Sequence, residues 1–268
     1  MLISSPPTDA TATGPGEPQS PALHIPIQTT SFRSFAANTK GRDFAVGDIH
    51  GHFELLERVL ARIHFEPTAD RLFVTGDVID RGPRSQELLA WLDKPWFHTI
   101  RGNHEQMVLD CMAGVGDPPR HARNGGAWFY QRSALEQQQI ADRLLELPVA
   151  MQISLPTGAN VGIIHAESPH WEDDLCWHDA VALLDSPDRE RKHSALTQAL
   201  YARRRISTHD EQPVRGVHRL YVGHSTTPQV LRLGNVVYID TGCSFADGRL
   251  TAINLFNEEA SASHFPEE

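Results

Sequence analysis

An apolar run, long enough for one buried strand, leads three times into a Gly and then into Asp, Asn or His. The segments are Phe44-Ala-Val-Gly-Asp48-Ile-His50, Leu72-Phe-Val-Thr-Gly-Asp77 and His98-Thr-Ile-Arg-Gly-Asn103-His104. Each reads as a strand that stops at a tight turn and presents a metal-friendly side chain at its tip. Two later segments do much the same, Val161-Gly-Ile-Ile-His165 and Leu220-Tyr-Val-Gly-His224. Oxygen and nitrogen ligands carried on five strand ends, far apart along the chain, can meet only where those ends lie side by side.

The elements between these segments say how that happens. After Gly51, residues Phe53, Leu56, Val59, Leu60 and Ile63 recur at helical spacing, so the first unit is βαβ. Further helices are expected near Ser85 to Leu92, Glu105 to Met112, Gly126 to Arg132, Leu135 to Leu147, Asp179 to Leu184 and Ala195 to Arg204. Val149 to Leu155 alternates as a strand and should pair with Val161 to Ile164 across the Thr157-Gly158 turn. Leu220 to Val222, Gln229 to Leu233, Val236 to Ile239 and Leu250 to Phe256 read as closing strands. An early βαβ unit followed by consecutive strands implies an α/β (α+β) protein, with sheets packed on each other and helices outside. In such folds, sites lie beyond the carboxyl ends of the strands.

At 268 residues and 40% hydrophobic composition the chain can bury one substantial core. Residues 1 to 38, rich in Pro, Thr, Ser and Gly, read as a flexible extension. Residues 39–257 read as the catalytic domain and 258–268 as a polar, acidic tail. The formal net charge of −10 argues against a nucleic-acid partner reached through a basic surface. No apolar stretch approaches the ~18 residues of a membrane span, and no basic-then-apolar leader is expected at the N-terminus. The cysteines Cys111, Cys176 and Cys243 fit neither a disulfide framework nor a thiolate zinc motif, so a cytoplasmic protein is expected.

Asp48, His50, Asp77, Asn103, His165 and His224 form a mixed O/N donor set suited to divalent cations such as Mn, Fe or Zn. A carboxylate such as Asp77 can bridge two ions. A phosphate ester also needs a proton donor and a charge clamp. His104 follows Asn103 directly, and Asp80 can accept from its ring. Arg81 and Arg101 flank the same loops, with forked guanidinium groups that suit phosphate oxygens. Any one histidine, in a chain with 15, is more often a core or surface residue. The joint pattern is what carries the reading.

Together, Gly47-Asp-Ile-His-Gly51, Gly76-Asp-Val-Ile-Asp-Arg-Gly82, Gly102-Asn-His-Glu105, His165 and His224 resemble the calcineurin-like metallophosphoesterases, and within them the phosphoprotein phosphatase family. Asn124-Gly-Gly-Ala-Trp128, His165-Ala-Glu167 and Val78-Ile79 are similar to the bacterial and bacteriophage lambda-type branch. The resemblance implies a four-layer α/β/β/α sandwich with the metal site at the C-terminal ends of the strands. It implies that Asp48, His50 and Asp77 hold one metal ion and Asp77, Asn103, His165 and His224 the other. His104 would be the general acid oriented by Asp80, with Arg81 and Arg101 on the phosphate. A further phosphate-binding arginine matches Arg203 in Tyr201-Ala-Arg203. Arg204 and Arg205 follow at once, and a solvated helix end accounts for the run equally well. Glu105 either orients the metal loop or caps a helix, and Asn124 to Trp128 either shapes the cleft wall or packs.

The expected function is a dinuclear-metal phosphomonoesterase, a Ser/Thr protein phosphatase with phosphotyrosine as a further substrate, acting by direct attack of a metal-bridging hydroxide. Two divalent ions are expected, Mn(II) in vitro, with Fe or Zn as native alternatives. Phosphoproteins, phosphopeptides or small phosphoesters would be the partners, with no nucleic acid or membrane. The rivals are a symmetrical bis(5'-nucleosyl)-tetraphosphatase, whose group carries Gln in place of His50, and an inactive phospho-ligand binder.

Overall fold

The computed structural model describes residues 31–263. Two sheets lie face to face. The first, of six strands, is built from β1 (Phe32–Phe35), β5 (Ala150–Ser154), β6 (Asn160–Ile164), β7 (Arg219–Val222), β8 (Leu231–Leu233) and β9 (Val236–Tyr238), in the order β1-β5-β6-β7-β9-β8. The second, of five, contains β2 (Asp43–Val46), β3 (Arg71–Val74), β4 (Phe97–Thr99), β10 (Leu250–Asn254) and β11 (Ala260–Ser263), in the order β11-β10-β2-β3-β4. The pairs β2–β3, β3–β4, β6–β7 and β7–β9 are parallel. β5 and β6 form the antiparallel hairpin that the alternation at Val149 to Leu155 implied.

Side chains alternate across each strand and so sort into separate apolar layers. Ala45, Phe73, Met151, Ile163, Tyr221, Val237 and Ile253 point between the sheets. Their neighbours Phe44, Val46, Leu72 and Val74 face α1 (Phe53–Arg62), α2 (Leu88–Leu92), α3 (Asn103–Met112) and α6 (Ala134–Leu145). Leu220, Val222, Val236 and Tyr238 face α7 (Trp177–Ala182) and α8 (Arg189–Tyr201). Both faces of each central strand are therefore buried, which is why these strands read as near-continuous apolar runs. The result is the expected α/β/β/α sandwich.

Some boundaries differ from the sequence-based expectation. The extension expected over residues 1–38 lies largely outside the described residues, but its end does not. Phe32–Phe35 pairs in parallel with β5, while Phe35 packs edge-on against Phe73 at 5.0 Å and Phe32 against Trp177 at 6.3 Å. Four residues are too few to show a period against the Pro- and Ser-rich stretch before them. Within the acidic tail, Ala260–Ser263 adds an antiparallel strand to β10; its Ala and Ser side chains leave no hydrophobic trace in the sequence.

The helix expected at Gly126 to Arg132 begins earlier and is broken. Pro118–His121 is α4 and Ala127–Tyr130 is α5, with a wide turn over Ala122–Gly126 in which Gly125 has φ +102°. The helix expected to run to Arg204 stops at Tyr201, where Ala202 is extended, and α9 (Arg204–Thr208) starts anew. Trp171 and Trp177 are buried in the core, so the segment after His165 is anchored rather than a free loop.

Ile163 is fully buried between the sheets. Ile163→Ala is expected to cost about 2–5 kcal/mol, read as a lower denaturation midpoint with little change in slope.

Candidate active site

The C-terminal ends of six parallel strands converge on one cleft. β2 delivers Asp48 and His50, β3 Asp77, β4 Asn103 and His104, β6 His165, β7 His224, and β9 Asp240. The cleft measures about 490 Å³. Backbone turns bring the tips close. His50 and Asp77 (φ +47° each), Asp80 (+71°), Arg81 (+64°) and His224 (+62°) all lie in the left-handed region, a conformation that concentrates at functional sites. At Gly223, a Cβ would collide with Asp48 Oδ1 and Thr75 Oγ1, so glycine lets β7 close onto β2.

Asp77 sits at the centre. Its Oδ1 lies 3.4 Å from His165 Nε2, and its Oδ2 lies 3.7 Å from His50 Nε2 and 3.8 Å from His104 Nε2. Its two oxygens thus face two groups of donors, as a bridging carboxylate requires. Asp48 accepts from Thr75 Oγ1 at 3.0 Å and from the His224 backbone N–H at 2.9 Å.

The three outer histidines share one device. His50 Nδ1 meets Ile79 O at 3.0 Å, His165 Nδ1 meets Thr75 O at 2.7 Å, and His224 Nε2 meets Tyr201 O at 3.2 Å. A carbonyl can only accept, so each of these nitrogens carries a proton, and the other ring nitrogen is the one a cation can use. Those other nitrogens, His165 Nε2 and His224 Nδ1, face Asn103 Oδ1 at 2.9 and 2.8 Å. Three potential ligand atoms thus converge on one small space. The ligating atoms of Asp77, His165 and His224 lie within 4.8 Å of one another, as do those of His50, Asp77 and His104.

His104 is the less apt ligand in the second group, because its other nitrogen and its neighbours give it different work. Its Nδ1 donates to Asp80 Oδ2 at 2.7 Å, and Arg81 Nη2 lies 3.3 Å from its Nε2.

The electrostatics fit the same donor set. Burial, with Asp240 and Asp77 nearby, pushes the Asp48 carboxyl well above its usual range. Burial opposes charge on His165, yet Asp77 and Asp48 outweigh it and drive its pKa up to about 10. Buried carboxylates here demand a positive charge, and without a metal ion a proton on His165 supplies it.

Of the expected phosphate-binding arginines, Arg81 and Arg203 line the cleft, Arg203 donating to His224 O at 2.9 Å. Arg204 instead pairs with Glu172 at 2.8 Å. Arg205 is buried against the Trp171 ring at 4.2 Å. Arg101 is a correction. It is buried and turned away, donating to Gln106 Oε1 at 3.1 Å and to Leu147 O at 3.3 Å. Its guanidinium is held by carbonyls at the end of α6, so flanking the metal loop did not bring Arg101 to the cleft.

Several lining residues were missed. Asp240 follows the apolar run Val236 to Ile239 directly, without the glycine that precedes Asp48 and Asp77, and accepts from Thr226 Oγ1 at 2.7 Å. Arg120 also lines the cleft, from a segment with no strand signal; Asn124 lies in its wall, in keeping with one of the two readings of the Asn124 to Trp128 segment. Cys243 is buried beneath the site, its Sγ 3.0 Å from Asp48 O.

Glu105 ties the loops together. Its carboxylate accepts from the backbone N–H of Asp77 (2.9 Å), Val78 (2.9 Å), Ile79 (3.3 Å) and Gly102 (2.8 Å). It therefore orients the metal loop and caps α3 at once. Burial and the charge of Asp77 push it up to about 7, against the pull of these donors.

The sequence profile of the calcineurin-like phosphoesterases matches residues 44–228. Serine/threonine-protein phosphatase 2 of Escherichia coli is 33% identical over 230 residues, covering 84% of this chain and 98% of that protein. A symmetrical bis(5'-nucleosyl)-tetraphosphatase of Actinobacillus succinogenes is 30% identical over 164 residues, 59% of this chain and 56% of that one. A protein serine/threonine phosphatase from Saccharomyces cerevisiae shares the fold, with a TM-score of 0.59 at 16% identity, covering 90% of this chain and 85% of its own. This chain belongs to the calcineurin-like phosphoesterase family and is a phosphoester hydrolase of the metallophosphoesterase type.

Glu105→Gln puts an amide N–H₂ against backbone N–H groups. The expected loss is about 1–3 kcal/mol, and for a domain of this size roughly 2–4 °C of Tm per kcal/mol, measured by calorimetry on the metal-free protein.

Proposed function

We propose that this chain is a dinuclear-metal protein phosphatase that hydrolyses phosphoserine and phosphothreonine, with phosphotyrosine as a further substrate. The observation that carries the reading is Asp77, whose two carboxylate oxygens face separate donor groups while His104 and Arg81 line the same cleft. Asp48, His50 and Asp77 would hold one cation; Asp77, Asn103, His165 and His224 the other. Mn(II) suits this set in vitro. Two bound cations supply deprotonated water and offset phosphate charge.

The remaining work falls to the chain. Arg81 and Arg203 hold the phosphate oxygens with the attacked phosphorus in line. A new P–O bond forms from water as the bond to the leaving oxygen breaks, and His104 Nε2 gives its proton to that oxygen. Burial lowers the His104 pKa, but Asp77 and the hydrogen bond and charge of Asp80 outweigh it, so the net shift is upward. The upward shift favours the protonated, proton-donating ring.

The protein-phosphatase reading is supported by the Escherichia coli relative, which matches over nearly its whole length, and by His50 in the first motif. The tetraphosphatase relatives align over a smaller share of the chain. Turnover of a phosphoserine peptide set against diadenosine tetraphosphate tests this directly. The peptide should be hydrolysed, and His104→Asn should slow that hydrolysis ~10²–10⁴-fold with metal still bound. Hydrolysis of the dinucleotide alone would overturn the substrate assignment and leave the metal chemistry standing.

Cation binding must displace the proton from His165, whose pKa of about 10 lies above neutral. Below that value each binding event releases protons, so Mn(II) affinity should rise with pH. Titration calorimetry in buffers of different ionisation enthalpy measures both the affinity and the released protons.

A further inference from the structure

Asp80 serves more than His104. It is fully buried, and its Oδ2 accepts from two imidazoles, His104 Nδ1 at 2.7 Å and His121 Nε2 at 2.9 Å. Its Oδ1 accepts from Trp128 Nε1 at 2.7 Å. His121 is itself buried, and its Nδ1 lies 2.9 Å from the Tyr130 hydroxyl. A carboxylate only accepts, so His121 carries its proton on Nε2 and takes the Tyr130 hydroxyl hydrogen on Nδ1. Every member of the chain Tyr130–His121–Asp80–His104 is thereby satisfied.

The geometry points to His121 as a positioning residue for the proton donor: with Trp128 it clamps both oxygens of Asp80, and through Asp80 it fixes the ring of His104. The inference rests on the phosphomonoesterase reading of the same cleft. Among the described residues, the side-chain hydrogen bonds of His121 go to Asp80 and Tyr130, neither of them assigned to the cations or to phosphate.

The surrounding segment is shaped for this contact. A Cβ on Gly126 would fall on the His121 ring, and one on Gly125 would strike the backbone of Arg81. Gly125 O accepts from the Arg81 N–H at 3.3 Å. The glycine pair thus lets Pro118–Tyr130 lie against the Asp80–Arg81 turn while keeping room for the imidazole. With one donor alone, a carboxylate can pivot about its terminal torsion, which is broad. Donors on both oxygens remove that freedom, and His104 Nε2 stays aimed at the leaving oxygen.

The role predicts a signature that mere packing would not give. A proton donor matters more for a poor leaving group than for a good one, so misplacing His104 should hurt phenyl phosphate more than p-nitrophenyl phosphate. The proteins to compare are wild type, His121→Ala, His121→Gln, which keeps an N–H donor, and Trp128→Phe, all loaded with Mn(II). In His121→Ala, kcat for phenyl phosphate should fall ~10–10²-fold, part of what general acid catalysis contributes. The fall for p-nitrophenyl phosphate should be several-fold smaller, with KM and metal content unchanged.

His121→Gln should recover part of the loss, and Trp128→Phe should show the same leaving-group bias, which carries the test if His121→Ala does not fold. In the metal-free proteins, the low-field imidazole N–H proton of His104, identified by its absence in His104→Asn, should weaken in His121→Ala and persist in His121→Gln. Equal losses on both esters, a loss of metal, or no loss at all would overturn the assignment. A wild-type protein that hydrolyses neither ester would instead sink the phosphomonoesterase reading on which it rests.

Discussion

One buried carboxylate, that of Glu105, determines whether the cleft can exist as it does. Four backbone N–H groups from two separate loops end on it. The loop after β3 is bent into left-handed backbone at Asp77, Asp80 and Arg81, and each such residue costs roughly 1–3 kcal/mol where the surroundings do not enforce it. Charge-assisted hydrogen bonds from an immobile helix residue are the enforcing element. Because Glu105 is held by the first turn of α3, the Asp77 loop, Asn103 and His104 form one rigid piece. His104 N–H also donates to Asp77 Oδ1 at 2.9 Å, which closes the unit on itself.

That rigidity brings like charges together. Asp48, Asp77 and Asp240 are all buried at the same strand ends, and Asp48 is driven well above its usual range by burial and its acidic neighbours. An apolar sandwich would not tolerate such a cluster unless something positive completed it. The carbonyl partners of His50, His165 and His224 hold their free nitrogens toward the same space. Parallel strands make this possible, since they place many carboxyl ends on one edge of the molecule. Hairpins would have scattered them.

What the sequence revealed follows the same physics. The candidate metal ligands at strand tips were legible because a buried strand, a glycine turn and a polar tip leave a local signature, as at Asp48 and Asp77. Asp240 also ends an apolar run, but no glycine precedes it, and it was passed over. Arg101 was misread because adjacency along the chain says nothing of which side of a turn a long side chain takes. β11 left no trace, for its residues are Ala and Ser without an apolar period. Glu105 was visible as a residue but not as a hub, because its partners lie 26 to 28 positions away. His121 was hidden most completely. It sits in a broken helix, and its value lies in a contact with a residue 41 positions earlier.

The division between visible and hidden residues has a consequence for specificity. Groups that act on phosphorus and its oxygens see the same chemistry in every phosphate ester, so they cannot tell one substrate from another. Discrimination must come from groups that touch the rest of the substrate. Around this cleft those are rim residues such as Arg120, Asn124, Tyr201 and Phe245, drawn from segments without strand-tip signatures. Tyr201 and Phe245 are partly exposed, and Phe245 lies 5.7 Å from the Arg81 guanidinium, so an aromatic surface adjoins the proposed phosphate-binding arginine. A shared strand-end core with a separately built rim accounts for how proteins named as phosphatases and as tetraphosphatases can both align with one set of motifs.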